Sequence, residues 1–160
     1  KYLSRRIIMR MQINISIVFT IILTVGCETN HSTTMIVKAK SGDQVLTVLN
    51  HIKFDKKEEF NNILFNEIFP AANAYVDSSE EKNKLNNKAE KAFRVLLPKR
   101  MNKDSTWTFI MLADPYYEGA LYNIMPSLEQ KYGTEGADEV FGRWSDCFVG
   151  EQEVYFSKQK

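Results

Sequence analysis

The chain has 160 residues, with 21 Lys and Arg against 20 Asp and Glu, for a formal net charge of +1. From Cys27 onward 17 basic residues face 20 acidic ones, a net of −3, because Lys1, Arg5, Arg6 and Arg10 precede that cysteine and no acidic residue does. This argues against the basic face that a nucleic-acid partner demands, and two Cys and two His in no C-x-x-C or H-x-x-x-H spacing give no metal-ligand cluster to expect.

The stretch from Ile13 to Cys27, ending ISIVFTIILTVGC, is the most apolar of the chain. A membrane-crossing helix needs about 20 apolar residues, and this run stops short of that at a small-residue site. Arg10 stands just upstream, so a basic segment, a short apolar segment and a small residue follow one another as in a secretory signal. Met9 or Met11 offers a start, with residues 1–8 as an upstream extension. Thr24-Val25-Gly26-Cys27 resembles a bacterial lipoprotein signal, although Thr24 stands where such signals usually carry Leu and Leu23 lies one step further away. The resemblance implies removal of residues 1–26, lipid on Cys27 as the new N-terminus, and a cell-envelope location, periplasm-facing or at the outer membrane. An uncleaved anchor and an ordinary signal peptide are the alternatives.

Residues 27–43 read as the lipidated cysteine and a polar tether rich in Thr and Ser. His31 is expected in solvent, and Met35-Ile36-Val37 as a short extra strand. Residues 44–160 read as one domain, and the 134 residues from Cys27 on suffice for one proper core. With Cys27 lipidated, Cys147 has no disulfide partner within the chain and is expected as a small buried hydrophobe beside Trp144 and Phe148.

Val45 to Phe54, VLTVLNHIKF, has the composition and length of a strand. Leu46, Val48, Asn50, Ile52 and Phe54 share one face, so Asn50 and His51 point to opposite sides. Asp55 with Glu58 has capping-box spacing. Phe60, Ile63, Leu64 and Ile68 then recur at helical spacing, with Pro70 ending or kinking the helix. Asp77-Ser78-Ser79 starts a polar helix over 80–92, whose inner face holds only Leu85, Ala89 and Ala92 and whose charge run reads as a solvated surface.

Phe93 to Leu97 is the second strand, stopped by Pro98. Thr106 to Ala113 is the third, with Trp107, Phe109, Met111 and Ala113 on one face. Tyr116 to Lys131 reads as a helix capped at Gly133, and Thr134 opens another carrying Val140, Phe141, Trp144 and Phe148. Gln152 to Ser157 is the last strand. Reduced to its frame the order is βαββαβ, an α+β, ferredoxin-like fold with extra helices on one face of a four-stranded antiparallel sheet. Apolar residues on both parities of the strands point to a second buried face, most simply covered by another copy of the chain.

The strand-to-helix run VLNHIKFDKKEEFNNILFNEIFPAA and the later TWTFIMLADP resemble the dimeric α/β-barrel proteins, which include antibiotic-biosynthesis-type monooxygenases. The resemblance covers about residues 44–160. It implies a homodimer with facing sheets and a small-molecule pocket between sheet and helices or inside the barrel. One branch degrades haem, with an Asn on the first strand, a Trp on the third and a His on the following helix. Asn50 and Trp107 match by position, and Tyr117 stands where the His would fall; Tyr is a known haem ligand. Another branch needs no cofactor and oxidises activated phenolic substrates, so no cofactor is the main expectation and haem the lesser one.

Several residues are therefore candidates. His51 could serve as a general base, since its ordinary pKa lies near neutrality, or be a structural or interface residue. Asn50, Trp107, Tyr116 and Tyr117 are candidate ligand contacts, the tyrosines in the loop Asp114-Pro115-Tyr116-Tyr117-Glu118, whose acids could equally favour a helix N-terminus. Trp107 could equally be a core or interface aromatic. Arg143 is expected to pair near Asp146 at the surface.

Overall fold

The computed structural model describes residues 37–160. The signal segment, Cys27, His31 and Met35-Ile36 lie outside the described residues. Val37 is not part of a strand, so that expected element does not form where it can be observed.

The strands are β1 (Gln44–Ile52), β2 (Phe93–Leu96), β3 (Trp107–Ala113) and β4 (Glu153–Lys158). They form one sheet in the order β2-β3-β1-β4, each neighbouring pair antiparallel. This is the ferredoxin-like α+β arrangement, since the two central strands are β1 and β3 and each edge strand is reached over a helical connection or a hairpin. Leu46 pairs with Ala113, Asn50 with Phe109 and Ile52 with Trp107. That register brings the apolar parity of both central strands to one face, where the helices pack.

The helical layer begins with a tight turn at Phe54–Lys56, followed by α1 (Lys57–Ile63), a wide π-type turn (Leu64–Ile68), α2 (Phe69–Ala74) and α3 (Glu80–Ala92). Asp55 does not cap α1. The chain leaves β1 through the tight turn, which carries Asp55 inside it, and Lys56 Nζ reaches Glu59 Oε2 at 2.5 Å instead. Pro70 ends nothing; it sits in the first turn of α2, where its missing N–H costs no helical bond. Ser79 caps α3 as expected, accepting from Lys82 N at 3.4 Å.

The larger departure lies after β3. Residues 116–124 are irregular, and α4 runs from Met125 to Ser145 in two segments parted at Gly133 (φ 72°, ψ 173°). Backbone N–H groups of this segment are tied to other groups, and one that a helix would pair internally, Leu121 N, is spent on a side chain. Tyr116 N donates to Gln44 O at 2.7 Å, Tyr117 N to the Tyr122 hydroxyl at 3.0 Å and Leu121 N to Asn86 Oδ1 at 2.9 Å. Pro126 again falls in a first helical turn.

The core lies between the sheet and α1, α2 and α4, with Ile52, Phe60, Ile63, Leu64, Phe109 and Leu128 essentially sealed from solvent. Phe60 is its hub, its ring centroid 4.6 Å from that of Phe109 and 5.6 Å from that of Phe148. Cys147 is buried there beside Trp144 and Phe148. Arg143 does not pair near Asp146; its two Nη atoms grip both carboxylate oxygens of Glu67 at 3.0 and 2.5 Å, clamping α4 to the π-type turn. Among the described residues no helix is long and apolar enough to cross a membrane.

Candidate functional site

A cavity of about 630 Å³ opens on the helical side of the sheet near the β2 edge. Phe69 and Tyr75 come from α2 and the turn after it, Asn83, Asn86, Asn87 and Glu90 from α3, and Phe93 from β2. Tyr122, Asn123 and Ser127 close the far side. Phe93 is turned to this side because it pairs with Ala113, whose face packs on the helices.

Side-chain amides hold these walls in place. Asn83 grips the backbone of Asp77 from both ends, accepting from its N–H at 2.7 Å and donating to its carbonyl at 2.8 Å. Gln130 of α4 does the same to Val76, both bonds at 2.8 Å. Asn86 anchors the irregular segment through Leu121. Burial raises the Tyr122 phenol above its ordinary pKa, so that ring stays neutral. Among the described residues Glu90 is the one carboxylate that lines the cavity, and no Lys, Arg or His lines it.

A second cluster lies on the other face of the sheet. Asn102 Nδ2 donates to Thr108 Oγ1 at 2.7 Å, which leaves the Thr108 hydroxyl to donate to His51 Nδ1 at 3.0 Å. His51 Nε2 then donates to Glu153 Oε1 at 3.1 Å, and the Tyr155 hydroxyl to Glu153 Oε2 at 2.5 Å. This arrangement satisfies every donor. The tyrosine hydroxyl and then the histidine hold the Glu153 carboxyl below its ordinary pKa. The sequence offered His51 no orienting carboxylate, because Glu153 reaches it only through the pairing of β1 with β4. Both ring nitrogens are engaged, so a base at this position would first have to release Thr108 or Glu153.

The remaining candidates do not gather into one site. Asn50 is sealed in the core, where its amide donates to Phe109 O at 3.3 Å and accepts from Gln152 Nε2. Trp107 Nε1 donates to Phe54 O at 3.0 Å, and Lys57 Nζ sits 4.7 Å from the centroid of its ring. Tyr116 stacks on Tyr122 at 5.1 Å and meets Phe156 edge-on at 5.3 Å. Tyr117 lines a shallow groove with Lys38, Lys40 and Glu118. Trp107 and Tyr117 flank opposite ends of β3, about 20 Å of strand apart at roughly 3.3 Å per residue. Asn50, Trp107 and Tyr117 are not brought to one cavity among the described residues.

No helix follows Asp114 directly, so its carboxylate has no helix N-terminus to serve; it pairs with Arg94 and accepts from Ala39 N at 2.7 Å. Among the described residues no three His, Cys, Asp or Glu side chains converge as a metal site.

The charge run of α3 is solvent-exposed as expected, from Glu80 and Glu81 through Lys82, Lys84 and Lys88 to Lys91, while the amides of the same helix form a wall of the cavity. Its signal was present: Asn83, Asn86, Asn87 and Glu90 fall at i, i+3, i+4 and i+7, one stripe of a helix. Tyr122 carried no such signal, because an irregular segment has no period.

No protein-family model matches the chain, and no curated protein matches it. Two solved structures do resemble it. A conserved protein from Methanosarcina mazei Go1 is 18% identical with a TM-score of 0.39, over 74% of this chain and 94% of that one. A presumed antibiotic biosynthesis monooxygenase from Caulobacter crescentus CB15 is 13% identical with a TM-score of 0.37, over 75% of this chain and 92% of that one.

Proposed function

We propose that this chain is a small-molecule-binding domain whose ligand occupies the cavity between α2, α3, β2 and the segment 121–127. The observation that carries the reading is the cavity itself: about 630 Å³, walled by aromatic rings with amides set among them. Concave, largely apolar sites with a few convergent polar groups are where small ligands bind. Ala72 lies exposed on the rim, so Ala72→Trp fills the space without overpacking the core. A fragment screen by saturation-transfer NMR on the full chain tests the reading. Aromatic fragments should bind the wild type and lose binding in Ala72→Trp; hits unaffected by that variant would overturn it.

In this reading the domain is held at the cell envelope by lipid on Cys27, on the strength of the basic, apolar and small-residue order of residues 5–27. It pairs with a second copy through the sheet face opposite the helices, where Leu49, Ile110, Leu112, Leu96 and Tyr155 are at least partly exposed. Sedimentation at increasing concentration should give a dimer that Ile110→Asp disperses.

A catalytic reading, a cofactor-independent oxygenase acting on an aromatic substrate, has one observation in its favour, the oriented His51–Glu153 pair. That pair lies on the face of the sheet away from the cavity. Oxygen uptake with phenolic substrates that disappears in His51→Gln would favour this reading over binding alone.

A further inference from the structure

The walls of the cavity carry a consistent electrostatic sign. Four rings line it: Phe69, Tyr75, Phe93 and Tyr122. Phe69 and Phe93 meet edge-to-face with centroids 6.1 Å apart, so they present differently oriented surfaces to the same space. The face of an aromatic ring is the negative end of its quadrupole and attracts a cation within about 6 Å of the centroid.

The carboxylates near the space add to this. Glu90 lines the mouth of the cavity, where it is itself exposed to solvent. Asp77 stands next to the lining residue Val76, 3.5 Å from the Tyr75 hydroxyl. Backbone bonding to Ser79 holds Asp77 ionised. Among the described residues neither carboxylate is in an ion pair, although Lys82 lies near enough to Asp77 to favour its ionised form. The amides of Asn86 and Asn87 bring no net charge, and among the described residues no Lys, Arg or His lines the cavity to receive a phosphate or a carboxylate.

We propose that the cavity takes an organic cation, an ammonium group seated among Phe69, Tyr75, Phe93 and Tyr122 with Glu90 as its counter-ion. This rests on the reading of the cavity as the ligand site and names the ligand's chemical class. An anionic ligand would meet four aromatic rings and Glu90 with no lining cation to compensate, whereas a neutral one would forgo the attraction of both.

Three probes of nearly one shape separate charge from fit: choline, its neutral analogue 3,3-dimethylbutan-1-ol, and 3,3-dimethylbutanoate. Dissociation constants come from chemical-shift titrations of the full chain, with Glu90→Gln and Phe93→Leu alongside. Choline should bind at least about 10-fold more tightly than the alcohol, and the carboxylate should not bind. Glu90→Gln should weaken choline about 5- to 10-fold and leave the alcohol unchanged, and Phe93→Leu should weaken choline selectively. Equal binding of choline and the alcohol, lost in Ala72→Trp, would overturn the charge assignment and leave the cavity as a ligand site. Binding of none of the three, with fragment hits insensitive to Ala72→Trp, would overturn both.

Discussion

His51 Nε2 stands 3.1 Å from Glu153 Oε1, although the two residues are 102 positions apart in the chain. The contact exists because β4 lies beside β1 and Glu153 pairs with Leu49, two residues before His51 on the same face. Two groups thus keep Glu153 ionised, the Tyr155 hydroxyl first and His51 second. A carboxylate held below its ordinary value stabilises the fold above that value and loses the contribution as pH falls through the lowered one. The stability difference between wild type and Glu153→Gln should therefore be largest near neutrality. It should shrink toward zero as denaturation midpoints are followed from about pH 7 to about pH 3. The Tyr155 phenol is raised by the same carboxylate, so its contribution is present below its ordinary value and lost as pH rises through the raised one. The gap to Tyr155→Phe should close only in strong alkali.

Asn83 organises the turn between α2 and α3 that walls the cavity. Asn83→Ala removes both bonds to the Asp77 backbone. We expect a loss of about 1–3 kcal/mol in urea denaturation, since two amide bonds are lost and the Asp77 groups are left partly buried. A change within about 0.3 kcal/mol would mean that water replaces them freely.

Cys147 should be chemically inert in the folded chain. It is buried, and burial raises its thiol above the ordinary value, so little thiolate forms near neutrality. In a Cys27→Ser background, labelling by a thiol reagent should be slow in buffer and fast in denaturant. Rapid native labelling would show that the cluster of Trp144, Phe148 and Cys147 opens readily.

Lipid attachment makes a prediction that does not depend on the domain. In a bacterial host, Cys27→Ser should abolish incorporation of labelled palmitate and move the chain from the membrane fraction to the soluble one. Palmitate uptake by the variant would place the attachment elsewhere.

The elements most legible in the sequence were those whose side chains repeat. The alternation of Leu46, Val48, Asn50 and Ile52 against Trp107, Phe109, Met111 and Ala113 identified two central strands, and their register puts those residues on one face. Phe60, Ile63, Leu64 and Ile68 marked a buried helical stripe, and all four are buried. The polar helix over 80–92 and its Ser79 cap were equally plain, because capping chemistry is local.

The segment after β3 shows where local reading ends. Residues 116–124 have helical spacing, yet their N–H groups bond to Gln44, Tyr122 and Asn86, two of them far away in the chain. Periodicity records which side chains face inward and says nothing about a distant acceptor competing for the backbone.

The sequence by itself determined the strand and helix order, the apolar faces and the burial of Cys147, because these follow from periodicity and from the water-avoidance of single side chains. Only the tertiary structure decided that Glu153 would orient His51, that Asn50 would be locked in the core, and that α3, β2 and Tyr122 would enclose a cavity. Each of those outcomes joins residues from different elements, and the distance between such residues is set by strand order and helix packing, which no single stretch of the chain encodes.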